Sequence, residues 1–180
     1  MGTYKTEGIV LKRKNFGEAD KILTIYTKHY GKIKVLAKGI RKPTSKKSPT
    51  LELFNWVKIF VSRGRGLDII KESQIIRSFR GWKKNLGKVE VAFYFCELVE
   101  RLAPENVPNL KIFNLLTGSL LGLSQINEGS LEQAVKIFEQ RILEESGFWP
   151  KGNKPKIDFK EYIEKIIERK LKSRDFFRDN

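Results

Sequence analysis

The sequence predicts an α+β protein in two parts, a small five-stranded barrel over residues 1–80 followed by an all-helical half over residues 81–180. Three observations lead there. Short apolar runs with a period near two fill the first part, and a period near three and a half takes over after residue 80. The charge divides at the same place. Residues 1–80 hold 19 Lys and Arg against 6 Asp and Glu, so they carry +13 of the chain's +15.

The expected strands are 6–12, 20–28, 32–39, 51–62 and 67–77, parted by joints such as Asn15-Phe16-Gly17, Tyr30-Gly31 and Arg63-Gly64-Arg65-Gly66. Five short strands in so few residues suit a closed barrel, because closure leaves no sheet edge exposed. The five-stranded OB-fold is the leading candidate.

In the second part, 82–102 places Leu86, Val89, Phe93, Cys96 and Leu102 near one helical face, and Pro104 ends the run. The run 110–126, after Pro108, is apolar on most sides and is expected to be the most buried helix of its half. Ser130 and Gln133 have capping-box spacing for a third helix carrying Leu131, Val135, Phe138 and Ile142, with Gly147 at its end. Asp158 and Glu161 have similar spacing before a fourth, with Ile163, Ile166, Ile167 and Leu171 facing inward. Residues 149–156 form a turn-rich linker between these last two.

Several function classes lose support on residue grounds. A hydrophobic content of 40 % marks a globular chain, and no run of 18 apolar residues or N-terminal apolar stretch is present. Neither membrane spanning nor export is expected, which leaves the cytoplasm. The lone Cys96 sits among Phe93, Tyr94, Phe95 and Leu98 as a core thiol, and the lone His29 precedes a turn. One Cys and one His cannot make a four-ligand site, so no metal or other cofactor is expected. Glu18 and Asp20 lack a third ligand, Ser45 and Ser48 lack a base, and the Arg63–Gly66 turn lacks the Lys-Ser/Thr ending of a phosphate loop. No catalytic residue is assigned, and an enzyme is not expected.

The basic residues are candidates for polyanion binding. In the third run Ile33, Val35 and Ala37 alternate with Lys32, Lys34 and Lys38, a core face backed by a cationic one. The loop beyond adds Arg41, Lys42, Lys46 and Lys47 among Gly, Pro, Thr and Ser, and is expected to stay flexible until phosphate orders it. Lys12, Arg13 and Lys14 leave the first strand, and Arg63 and Arg65 flank glycines at another hairpin tip. A folded, strand-rich, cationic module fits nucleic acid, the commonest large polyanion, better than a surface serving solubility alone. In the fourth run Leu51, Leu53, Val57, Ile59 and Val61 oppose Phe54, Trp56, Lys58 and Phe60. The aromatic face suits stacking of bases, and equally packing under the helical half.

The segments Thr6-Glu-Gly-Ile-Val-Leu-Lys-Arg, Phe16-Gly-Glu-Ala-Asp-Lys-Ile-Leu-Thr-Ile-Tyr-Thr and Tyr30-Gly-Lys-Ile-Lys-Val-Leu-Ala-Lys-Gly-Ile-Arg-Lys resemble the N-terminal domain of the RecO family of bacterial recombination and DNA repair proteins. The order continues through Ser45-Lys-Lys-Ser, Leu51-Glu-Leu-Phe and Arg63-Gly-Arg-Gly. In the helical half the resemblance is carried by Phe95-Cys-Glu-Leu-Val-Glu-Arg-Leu and Leu143-Glu-Glu-Ser-Gly-Phe. It implies an OB-fold, a helical C-terminal domain and a non-enzymatic role at the nucleoid. Implied partners are single- and double-stranded DNA, the RecR protein, and the C-terminal tail of single-strand-binding protein, with loading of the RecA recombinase as the outcome. The DNA-binding surface carried over by the matching motif comprises Lys12, Arg13, Lys14, Lys32, Lys34, Lys38, Arg41 and Lys42; Lys46, Lys47, Arg63 and Arg65 join on charge. Many members insert a four-cysteine zinc module after the Gly-Phe segment, where this chain has residues 149–156 and no cysteine. The runner-up is an RNA-binding OB protein of translation or ribosome assembly, since an OB-fold does not itself choose DNA or RNA. A third reading, an adaptor whose basic face meets acidic proteins, is compatible with the first.

Overall fold

The structure, a computed structural model, describes residues 2–152 and 157–171. Part of the expected linker, 153–156, lies outside the described residues. Ten elements follow in order: β1 (Thr3–Phe16), β2 (Asp20–Thr27), β3 (Gly31–Ala37), β4 (Trp56–Ser62), β5 (Asp68–Arg77), α1 (Leu86–Leu102), α2 (Leu110–Gly122), a 3-10 turn (Glu128–Ser130), α3 (Leu131–Glu145) and α4 (Phe159–Ile167). The five strands close in the order β1-β2-β3-β5-β4, with only the β3–β5 pair parallel. This is the OB-fold connectivity, and the expected fold class holds.

The chain divides into two compact units, one of residues 1–78 with 104–113, the other of 79–103 with 114–180. In the barrel unit the period-two pattern does what it promises. Val10, Leu23, Ile25, Ile33, Val35, Ala37, Val57, Ile59 and Val61 form one core, and burial of such apolar surface is the main force closing the barrel.

Two departures matter for the cationic residues. The first is a bulge in β1: Val10 pairs with Ile25 and Lys12 with Thr24, leaving Leu11 as the extra residue. A bulge exchanges the two faces beyond it, so Lys12 and Lys14 turn outward and Arg13 inward. The second is that residues 51–55, expected to extend β4, form turns. Phe54 adopts φ 70°, and its N–H donates to Val10 O. The loop between β3 and β4 is organised rather than loose. Ile40 and Leu51 sink fully into the barrel core, and turns at Lys42, Ser45 and Leu51 are hydrogen-bonded.

After α1 the segment 104–107 returns to β3. Lys32 pairs with Glu105 in a parallel bridge, and Asn106 N donates to Lys32 O at 2.9 Å. Gly31 makes this approach possible: it sits at φ 65°, and a Cβ there would stand 2.2 Å from Val107 O.

In the helical unit α1 buries Val91, Phe95, Leu98 and Leu102 with Ala92, Cys96 and Val99 beside them, so Cys96 and Leu102 of the expected stripe hold while its other members do not. Leu86 and Phe93 are exposed. Packing against α3 chose the face. Phe95 stacks on Phe138 with ring centroids 4.0 Å apart, and Tyr94 donates to the buried Glu139 carboxylate at 2.6 Å. α1 therefore buries more than α2, where Leu110 stays exposed. Ser130 makes no side-chain cap, because a 3-10 turn precedes α3. Asp158 does cap α4, accepting from Lys160 N, and Trp149 meets Phe159 and Tyr162 edge-on. Cys96 is buried, and burial pushes its thiol pKa upward.

Candidate nucleic-acid interface

The strand register arranges the candidate cations in rows. Residues opposite one another on neighbouring strands share a face. Lys12 lies opposite Thr24, which lies opposite Lys34, so the two lysines flank Thr24 on the outer wall of the barrel. With strands about 4.8 Å apart, their Cα atoms stand roughly 10 Å from each other. Lys14, opposite Ile22, extends this outward set toward the β1–β2 turn.

The loop after β3 docks on that turn. Arg41 N donates to Ala19 O at 2.9 Å, Arg41 Nη1 to Gly17 O at 3.3 Å, and Gly39 N to Asp20 Oδ1 at 2.7 Å. Asp20 is thereby explained as a loop anchor. The docking brings Lys38, Arg41 and Lys42, all exposed, to the end of the barrel where Lys12 and Lys14 emerge. Lys46 is exposed further along the loop, and Lys47 turns back to donate to Ile70 O at 3.0 Å.

Four candidates stand apart. Lys32 is 8 % exposed beneath the 104–107 segment, and Lys34 forms an ion pair with Glu105, whose carboxyl that lysine holds below its ordinary range. The cationic face expected of β3 is thus partly covered by chain from beyond α1, which no strand pattern in the sequence reveals. Arg63 and Arg65 lie at the opposite end of β1. Arg63 N donates to Gly2 O, and its guanidinium stands 5.9 Å from the Tyr4 ring. Tyr4 and Arg13 are separated by about nine residues of strand, roughly 30 Å of extended chain.

The aromatic face also divides. Phe54 is buried ahead of β4. Trp56 meets Phe113 edge-on at 5.9 Å within the barrel unit and donates from Nε1 to Glu7 Oε2 at 3.1 Å. Phe60 lies half-buried in the wall of a cavity of about 210 Å³ lined also by Lys5, Lys58, Glu72 and Gln74, with Lys5 Nζ 5.4 Å from its ring. Of the three rings only Phe60 lines this cavity.

Lys21, at the β1–β2 end of the barrel, is not among the sequence candidates. It follows Asp20 at the start of β2, and its ammonium pKa is lowered by burial first, then by Arg13 and Arg41, with Glu52 opposing. Its proximity to Arg13 depends on the Leu11 bulge. Among the described residues no cluster of His, Cys, Asp and Glu could hold a metal, and no helix is long and apolar enough to cross a membrane.

The chain is thus an OB barrel with cations gathered at one end, followed by a helical unit. Comparison with known proteins goes further. Residues 1–79 match the family model described as recombination protein O N terminal, and residues 84–154 match recombination protein O C terminal. The chain belongs to the RecO family. It is similar to the DNA repair protein RecO of Pelotomaculum thermopropionicum, 36 % identical over 83 % of this chain and 57 % of that one. A Dehalococcoides mccartyi relative of the same name is 38 % identical over 82 % of this chain and 57 % of its own. One from Trichodesmium erythraeum is 41 % identical over 68 % and 43 %. The chain thus spans little more than half the length of the first two relatives.

Proposed function

We propose that this chain binds single- and double-stranded DNA at the cationic end of its barrel and serves as a mediator of DNA repair and homologous recombination. The observation that carries the reading is the docking of the β3–β4 loop on the β1–β2 turn, which gathers Lys12, Lys14, Lys38, Arg41 and Lys42. The names of the relatives, DNA repair protein RecO, point the same way. Cations that neutralise the phosphates of two strands at once remove the repulsion between them and release condensed counterions. Annealing of complementary strands follows with no covalent step. In the cell this activity would work with RecR to load RecA onto DNA coated by single-strand-binding protein, at the nucleoid.

The test is paired. Titrations with DNA and RNA oligomers of one sequence should show DNA bound at least as tightly, and complementary labelled DNA strands should anneal faster with the protein present. Tight RNA binding with no acceleration of DNA annealing would favour a role in translation or ribosome assembly instead.

A further inference from the structure

The end of the barrel holds a feature that the outward cations do not explain. Arg13 lies opposite Leu23, and Lys21 lies opposite Ala37, while Leu23 and Ala37 are core residues. Both cations therefore stand on the inner side of the barrel wall, beside the last core residues of β2 and β3. The Leu11 bulge is what turns Arg13 inward. Arg41 arrives at the same mouth with the docked loop. Glu52 is the acidic group near Lys21.

This gathering is unfavourable for the fold alone. Arg13 Nε is buried with no hydrogen-bond partner, and an unpaired buried donor costs stability. Like charges nearby add repulsion: the Lys21 ammonium pKa is lowered by burial first and then by Arg13 and Arg41. An anion seated among the three groups would satisfy the orphan donor and cancel the repulsion together. Arg13 offers a planar fork suited to phosphate, Lys21 a compact charge, and Arg41 a second guanidinium.

We propose that Arg13, Lys21 and Arg41 form a phosphate-binding site at the mouth of the barrel, where one backbone phosphate of a bound nucleic-acid strand seats. The proposal rests on the nucleic-acid reading above and adds Lys21 and the inward-facing Arg13 to it. Outward lysines hold the strand loosely; this site fixes its register on the protein.

The experiment measures binding of a fluorescent thymidine oligomer to the full chain across a salt series, with Lys21→Met, Arg13→Gln and, for the loop, Lys46→Gln. Lys21→Met should weaken binding about tenfold, the loss of one charge-assisted hydrogen bond. It should also lower the slope of log K against log salt by about 0.7. Because it relieves repulsion, the same variant should melt above the wild type. Arg13→Gln, where it folds, should match it in binding. Wild-type affinity and slope in Lys21→Met, with Lys46→Gln weakened, would overturn the site and leave the nucleic-acid reading standing. A wild-type protein that binds no oligomer at any salt would overturn both.

Discussion

Replacing Lys12, Lys14, Lys38, Lys42 and Lys46 together by Gln removes five exposed cations that lie on the β1 end and the docked loop. None belongs to the barrel core, so the fold should survive; exposed substitutions of this kind each move stability by no more than about 0.5 kcal/mol. Each cation that holds a phosphate contributes about 0.7 to the salt slope on single strands and about 0.9 on duplex. If all five do so, the slope falls by about 3.5 on single strands and about 4.5 on duplex. Over a fourfold change in salt, the single-strand figure amounts to roughly two decades of affinity that no longer depend on ionic strength. Fluorescence anisotropy at several salt concentrations measures it, with circular dichroism to confirm the fold. A folded variant that keeps the wild-type slope would refute the assignment of this end and turn attention to Arg63 and Arg65.

Three further outcomes follow from packing. Gly31→Ala meets Val107 O at 2.2 Å and holds an unfavourable φ, so it should cost at least about 2 kcal/mol, roughly 4–8 °C in melting temperature, and speed proteolysis within 104–109. Wild-type melting would show that the 104–107 segment does not lie on β3. Trp56→Ala loses the Phe113 contact and the bond to Glu7 and should cost about 3 kcal/mol by thermal or urea unfolding, whereas unchanged stability with weaker single-strand binding would mean that the ring serves bases. Cys96 should resist a thiol reagent until the chain unfolds. Since burial raises its folded pKa, its contribution is complete below the unfolded value near 8.5 and is lost as pH rises above it. Unfolding free energy should therefore decline above about pH 8.5, and Cys96→Ala should flatten that decline.

The barrel was legible because half-buried strands write their period into the chain, as Ile33, Val35 and Ala37 show against Lys34. What escaped was set by register and by distant chain. Leu11 looks like one more alternating residue, yet it is the bulge that turns Arg13 inward and makes Lys21 its neighbour. Leu51 and Leu53 continue the alternation of β4, but the left-handed Phe54 breaks it, and Leu51 plugs the core from a turn. The cover over Lys32 comes from residues more than seventy positions away. In α1 the apolar residues fill more than one stripe, and contacts with Phe138 and Glu139 of α3 decided which of them is buried.

In the proposed function the β1–β2 turn and the docked 38–47 loop form the DNA contact. The most direct measurement is the change in backbone amide resonances of the isotope-labelled full chain as a thymidine oligomer is added. The largest changes should fall in residues 12–21 and 38–47, with Lys34 beside them and the Arg63–Arg65 tip little affected. Changes concentrated at that tip, or confined to the helical unit, would contradict it.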